Sequence, residues 1–130
     1  MRVLVDADFL IALAKEDDSN HNNALVKSEE LKSAVVFITQ FTIPEAVTVL
    51  SYKVSQSASK KFLEYLRGKD FTELPLDHMI CNEADKIFYS RREKGISWID
   101  CLNVAMAKTH QLDGILSFDK FYKKAGIKNI

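Results

Sequence analysis

The stretch Val3-Leu4-Val5-Asp6-Ala7-Asp8 constrains the fold more than any other part of the chain. Two β-branched residues flank Leu4, the run meets two carboxylates, and apolar residues resume through Phe9-Leu10-Ile11-Ala12-Leu13-Ala14. A short apolar run without alternation predicts a strand buried on both faces, as in parallel sheets covered by helices. The second run, closed by Lys15-Glu16-Asp17-Asp18, predicts a helix. Asp6 therefore stands where a buried strand ends and a helix begins, the edge of an open α/β sheet that faces its binding crevice. A carboxylate there is costly to bury unless a donor or a cation compensates it.

The rest of the chain repeats this alternation. Strands are expected at 2–6, 34–39, 71–74 and 114–117, with a short fifth at 127–130. Helices are expected at 9–15, 20–32, 43–54, 58–66, 77–93 and 98–110. Ile43, Ala46, Val47, Leu50 and Val54 recur at helical spacing. Ser55-Gln56-Ser57 interrupts them, Gly68 closes the next helix, and Pro75 stops the third strand. The pattern predicts an α/β fold, a parallel β-sheet of four to five strands with helices on both faces. With 130 residues and no repeat, linker or low-complexity tract, the chain reads as a single domain over 1–130.

Composition narrows the function. A chain 47% hydrophobic and 28% charged builds a core and is not disordered. Its 18 basic and 18 acidic residues balance, which excludes a blanket electrostatic grip on nucleic acid. Lys120, Lys123, Lys124 and Lys128, with no acid after Asp119, still make the last segment locally basic. Cys81 and Cys101 form no C-x-x-C and read as reduced, packed thiols. No apolar stretch approaches the roughly 20 residues needed to cross a membrane. A secretory apolar region would be broken by Asp6 and Asp8, so a cytoplasmic protein is expected. The four glycines are isolated and build no phosphate loop, and His21, His78 and His110 lack metal-ligand spacing.

Four carboxylates fall at element boundaries: Asp6, Glu45, Asp100 and Asp119. Thr42-Ile43-Pro44-Glu45 and Ser97-Trp98-Ile99-Asp100 each read as a capping box, and Asp119 as the cap of a short helix at 120–124. A parallel sheet puts its strand-to-helix junctions on one edge, so Asp6, Glu45 and Asp119 can also converge there, and Asp100 joins them if its helix starts at the same edge. Joined in that way they call for a cation, and hard carboxylate oxygens suit Mg²⁺ or Mn²⁺.

The same residues carry a family resemblance. Val3-Leu4-Val5-Asp6, Ile43-Pro44-Glu45-Ala46 with Val49-Leu50, Trp98 through Ala107, and Ile115 through Phe121 occur in order. Together they resemble PIN-domain nucleases over the whole chain, and the size and spacing are similar to the VapC-type toxins of toxin–antitoxin pairs. The resemblance implies Asp6, Glu45, Asp100 and Asp119 as catalytic, metal-binding acids and Mg²⁺ or Mn²⁺ as cofactor. It also implies an RNA substrate, an antitoxin partner and a homodimer. The ion would activate water and neutralise the leaving oxygen without a nucleophilic side chain. Two positions depart from the family: Ala7 replaces a frequent hydroxyl, and Asp8 a frequent neutral polar residue. Asp8 either adds a fifth carboxylate to the metal site or caps the helix at Phe9. Ser117 keeps a hydroxyl where Thr is common.

Ser117, Lys120, Arg91, Arg92 and Lys94 are the candidate nucleic-acid contacts, and Trp98 stacks on a base or packs. Ile43, Val47, Leu50, Tyr52, Phe62 and Tyr65 are compatible with a dimer surface, though core packing explains most of them. Two other readings remain open at this point. One is a non-catalytic PIN-like RNA-binding or scaffold module. The other is a haloacid-dehalogenase-type phosphatase with Asp6 as nucleophile and Asp8 as general acid, which lacks that family's late Gly-rich motif.

Overall fold

A computed structural model describes residues 1–130. Four strands, β1 (Arg2–Val5), β2 (Val35–Ile38), β3 (Phe71–Glu73) and β4 (Gly114–Leu116), form one sheet in the order β3-β2-β1-β4. All neighbours are parallel. The helices are α1 (Ala7–Ala14), α2 (His21–Glu30), α3 (Thr42–Lys53), α4 (Gln56–Arg67), α5 (His78–Ser90), α6 (Trp98–Thr109) and α7 (Phe121–Lys124).

The period-two pleat of β1 sorts the core into two layers. Leu4 pairs in register with Phe37 and Ile115, and all three pack with α5, α6 and α7 through Ala84, Leu102, Met106 and Tyr122. Val5, paired with Leu116, faces the other way with Ile38, joining Phe9, Leu10, Ile43, Ala46 and Leu66 from α1, α3 and α4. Helices thus cover both faces, as the uniformly apolar strands require. No helix is long and apolar enough to cross a membrane.

Several boundaries differ from the sequence reading. The first helix starts at Ala7, because Asp6 itself is its N-cap and accepts from Ala7 N. The fifth strand at 127–130 reduces to one bridge, Ile115 to Asn129. The helix expected over 77–93 stops at Ser90, with Arg91 already extended at its C-cap. Of the residues considered for a dimer surface, Ile43 and Leu50 are buried in the core. Val47 and Phe62 pack against that core, which leaves Tyr52 and Tyr65 exposed.

Candidate active site

All four strands run the same way, so the ends of β1, β2 and β4 open onto one edge. Asp6 occupies its centre and is only 7% exposed. Its Oδ1 accepts from Ala7 N at 2.8 Å and from Asn103 Nδ2 at 3.2 Å. Its Oδ2 accepts from the Tyr122 hydroxyl at 2.7 Å. Burial, and secondarily the charge of Asp8, push the Asp6 carboxyl up to about 7, although the Tyr122 and Ala7 donors hold it down.

Asp8 does not cap a helix at Phe9. It sits in the first turn of α1 and reaches across to the end of β4. Its Oδ2 accepts from Ser117 Oγ at 2.8 Å and from Phe118 N at 2.8 Å, while Oδ1 is buried with no partner. Burial raises the Asp8 carboxyl above its ordinary value, and Asp119 adds to the rise. Ser117 Oγ also accepts from Asp119 N at 3.0 Å, and Asp119 Oδ1 accepts from Phe121 N at 2.9 Å, opening α7. Asp119 is not the N-cap of α7, which is Lys120; it makes a turn onto Phe121 one residue earlier and is tied to Asp8 through one hydroxyl.

The two capping boxes part company. Ser97 and Asp100 form theirs in full: Ser97 Oγ accepts from Asp100 N, and Asp100 Oδ2 accepts from Ser97 N, each at 3.0 Å. Asp100 Oδ1 remains for the site, 3.3 Å from the Tyr122 hydroxyl. The Thr42–Glu45 box does not form, because Thr42 turns back to accept from Thr39 N at 3.1 Å and becomes the first helical residue. Glu45 is thereby released to the rim, where partial burial, Asp100 and Asp8 all raise its carboxyl.

The structure thus brings Asp6 and Asp100 to the Tyr122 hydroxyl and ties Asp8 to Ser117 and Phe118 at the end of β4, with Glu45 and Asp119 at the exposed edge. Four ion pairs occur, Lys15–Asp17, Lys32–Glu29, Lys86–Glu83 and Arg91–Glu93, and none touches these acids. No three of the acids stand within joint reach of one ion in this arrangement. The donor set nevertheless fits a hard divalent cation: every donor is a carboxylate oxygen, none is neutralised by Lys or Arg, and Asp8 Oδ1 is orphaned. A group of carboxylates with one member buried and none paired to a cationic side chain is a costly arrangement that a cation relieves.

The basic candidates separate. Lys120, Arg92 and Lys94 are exposed. Arg91 is committed, paired to Glu93 at 2.8 Å with its guanidinium over the Phe121 ring. Ser117 is 4% exposed with its hydroxyl engaged, so it stands inside the acid network and not on a nucleic-acid surface. Trp98 packs edge-on against Phe41 and donates to Asp85 at 2.7 Å, which makes it a packing residue. Sequence reasoning missed Tyr122 and Asn103. Tyr122 looked like one residue of a basic short helix. Asn103 lies inside the stretch Trp98 through Ala107, where a polar residue among Cys101, Leu102, Val104 and Ala105 is itself a signal of a buried partner.

Residues 3–128 match the PIN domain family. At the level of sequence, no curated protein matches the chain. Among solved structures, the fold is similar to VapC20 of Mycobacterium tuberculosis, described as a sarcin-ricin loop cleaving toxin. The TM-score is 0.83 at 18% identity, over 98% of each chain. It is also similar to VapBC2 of Rickettsia felis bound to a promoter DNA fragment, with TM-score 0.68 at 15% identity, over 95% of this chain and 92% of that one. FitAcB of Neisseria gonorrhoeae gives TM-score 0.66 at 15% identity, over 100% and 96%. At these identities the likenesses show a shared fold.

Proposed function

The chain belongs to the PIN domain family, and on that premise we propose that it is a divalent-metal-dependent endoribonuclease, the toxin of a VapBC-type pair. One observation carries this reading. Asp6, buried at the sheet edge with its carboxyl near 7, stands among Asp8, Asp100 and Glu45 with no Lys or Arg paired to any of them. Perturbed carboxyls gathered at one edge of a sheet are a mark of functional sites.

Asp6, Glu45, Asp100 and Asp119 would hold Mg²⁺ or Mn²⁺, with Asp8 beside them. The ion supplies activation of water and neutralisation of the leaving oxygen at an RNA phosphodiester. The chain supplies orientation. The start of α6 fixes Asp100 through Ser97, and the Asp8–Ser117 link fixes the loop that presents Asp119. Exposed Lys120, Arg92 and Lys94 offer charge to the RNA backbone. The description of VapC20 as a sarcin-ricin loop cleaving toxin supports RNA as the substrate class. VapBC2, whose name joins a VapB to a VapC, supports an antitoxin partner. A cytoplasmic homodimer completes the reading; Tyr52 and Tyr89, each 85% exposed, leave aromatic surface for a second copy.

The test is cleavage of an RNA by the purified chain. Cleavage is expected with Mg²⁺ or Mn²⁺, lost on chelation, and abolished by Asp6→Asn and by Asp100→Asn. Cleavage that persists in chelator, or in both variants, overturns the reading.

A further inference from the structure

The acid edge has a polar centre that the proposed reaction leaves unexplained. Tyr122 and Asn103 are 0% and 1% exposed, yet both turn their polar ends to Asp6. Asn103 Nδ2 donates to Asp6 Oδ1 and, at 2.9 Å, to the Tyr122 hydroxyl oxygen. That hydroxyl donates to Asp6 Oδ2 at 2.7 Å and lies 3.3 Å from Asp100 Oδ1. Asn103 Oδ1 is left buried without a partner. The amide cannot be turned over to relieve it, because Oδ1 would then face the Asp6 carboxylate. The donor orientation is thus imposed by Asp6 at the expense of an orphaned acceptor.

Counting lone pairs shows what this leaves. Asp6 Oδ1 is filled by Ala7 N and Asn103 Nδ2. Oδ2 takes the Tyr122 proton, and its other neighbour, Ser117 Oγ at 3.4 Å, gives its single proton to Asp8 at 2.8 Å. One lone pair of Oδ2 stays open, on a carboxylate fastened from behind. Hydrogen bonds of this kind fix the direction of a ligating carboxylate and strengthen its hold on a metal. The same hydroxyl joins the end of β1 to the first turn of α6, two acids from remote parts of the chain.

We infer that Tyr122, anchored by Asn103, is a positioning residue that sets the placement of Asp6 relative to Asp100 for a shared divalent cation. The inference rests on the metal-dependent reading above. A merely structural hydroxyl would satisfy buried Asp6 and nothing else, and the two roles part in what they do to metal affinity. A phenylalanine ring would fill the same volume bar one oxygen.

The experiment is calorimetric titration of Mn²⁺ into the full chain, for wild type, Tyr122→Phe and Asn103→Ala, with metal-free thermal melts alongside. Wild type is expected to bind, and Tyr122→Phe to bind more weakly by on the order of tenfold or more. Asn103→Ala is expected to shift in the same direction. If Tyr122→Phe melts earlier but keeps the wild-type Kd, the hydroxyl only satisfies Asp6 and the inference fails. Tighter binding overturns it too, since the hydroxyl would then compete with the ion. Should Tyr122→Phe not fold, Asn103→Ala decides by the same criteria. Wild type that takes up no Mn²⁺ at millimolar concentration overturns the metal-dependent reading itself, and this inference with it.

Discussion

At the scale of residues, Asp6 carries the largest conflict in the chain. It is the N-cap of α1, a buried acceptor for three donors, and a carboxylate raised from 3.8 to about 7. A folded value above the unfolded one means that the folded state binds this proton more tightly. Stability is therefore highest where Asp6 is protonated and falls as pH rises from about 4 to about 7. The metal-free protein at pH 8 would carry a penalty on the order of 4 kcal/mol from this group, and the raised Asp8 and Glu45 act in the same direction. An Asn at position 6 keeps one oxygen for Ala7 and Asn103 and turns its amide to the Tyr122 oxygen. Asp6→Asn is thus expected to melt above wild type in chelator at pH 8, to lose that advantage near pH 4, and to gain least from added Mn²⁺. Thermal melts across pH check this, and an Asp6→Asn that melts below wild type at pH 8 refutes it. The acids were legible in the sequence because each interrupts an apolar run at a boundary. Tyr122 was not, because a strand, a turn and two helices must fold before its hydroxyl meets Asp6.

At the scale of elements, the alternation of short apolar runs with helical stripes was enough to read four parallel strands and their flanking helices. Ends were harder to read, because side chains settle them by choosing partners. Thr42 has a backbone donor to satisfy at Thr39 and so abandons the capping role its spacing suggested. The C-terminal segment is the clearest case. Gly114 has no side chain, and the segment closes on it: a Cβ there would lie 2.5 Å from the Lys128 carbonyl oxygen and 2.7 Å from Ile130 Cδ1. That carbonyl also accepts from Ile115 N at 2.9 Å, so it cannot withdraw without giving up the bond that docks the segment. Three residues of β4 leave room for one bridge instead of a fifth strand. Gly114→Ala is expected to cost about 1–3 kcal/mol by overpacking, read in denaturant unfolding. Asn129 donates to the Asp119 carbonyl at 2.9 Å, so lifting the segment also loosens the loop that presents Asp119. Metal affinity should fall with stability in this variant; a tolerated alanine would show that the segment is not docked as described.

At the scale of the whole molecule, zero net charge gives no general attraction for a polyanion. The acid edge itself repels phosphate until a cation occupies it, so RNA binding must draw on exposed cations close to that edge. Lys120 follows Asp119 directly and is exposed, whereas Arg91 is already paired with Glu93 and packed on Phe121. Lys15 is paired with Asp17 at the far end of α1. These three residues separate a local contact from a bulk charge effect, since each removes the same unit charge. Binding of RNA to the cleavage-defective Asp6→Asn chain, followed against salt, gives a slope that counts phosphates neutralised. Adding Lys120→Ala should lower that slope by about 0.7, the value for one single-strand phosphate. Arg91→Ala should lower it less and cost stability instead, because its charge is spent on Glu93 and its plane on Phe121. Lys15→Ala should leave the slope alone. Equal changes from all three would mean that the RNA responds to total charge and not to the edge where Asp6 lies.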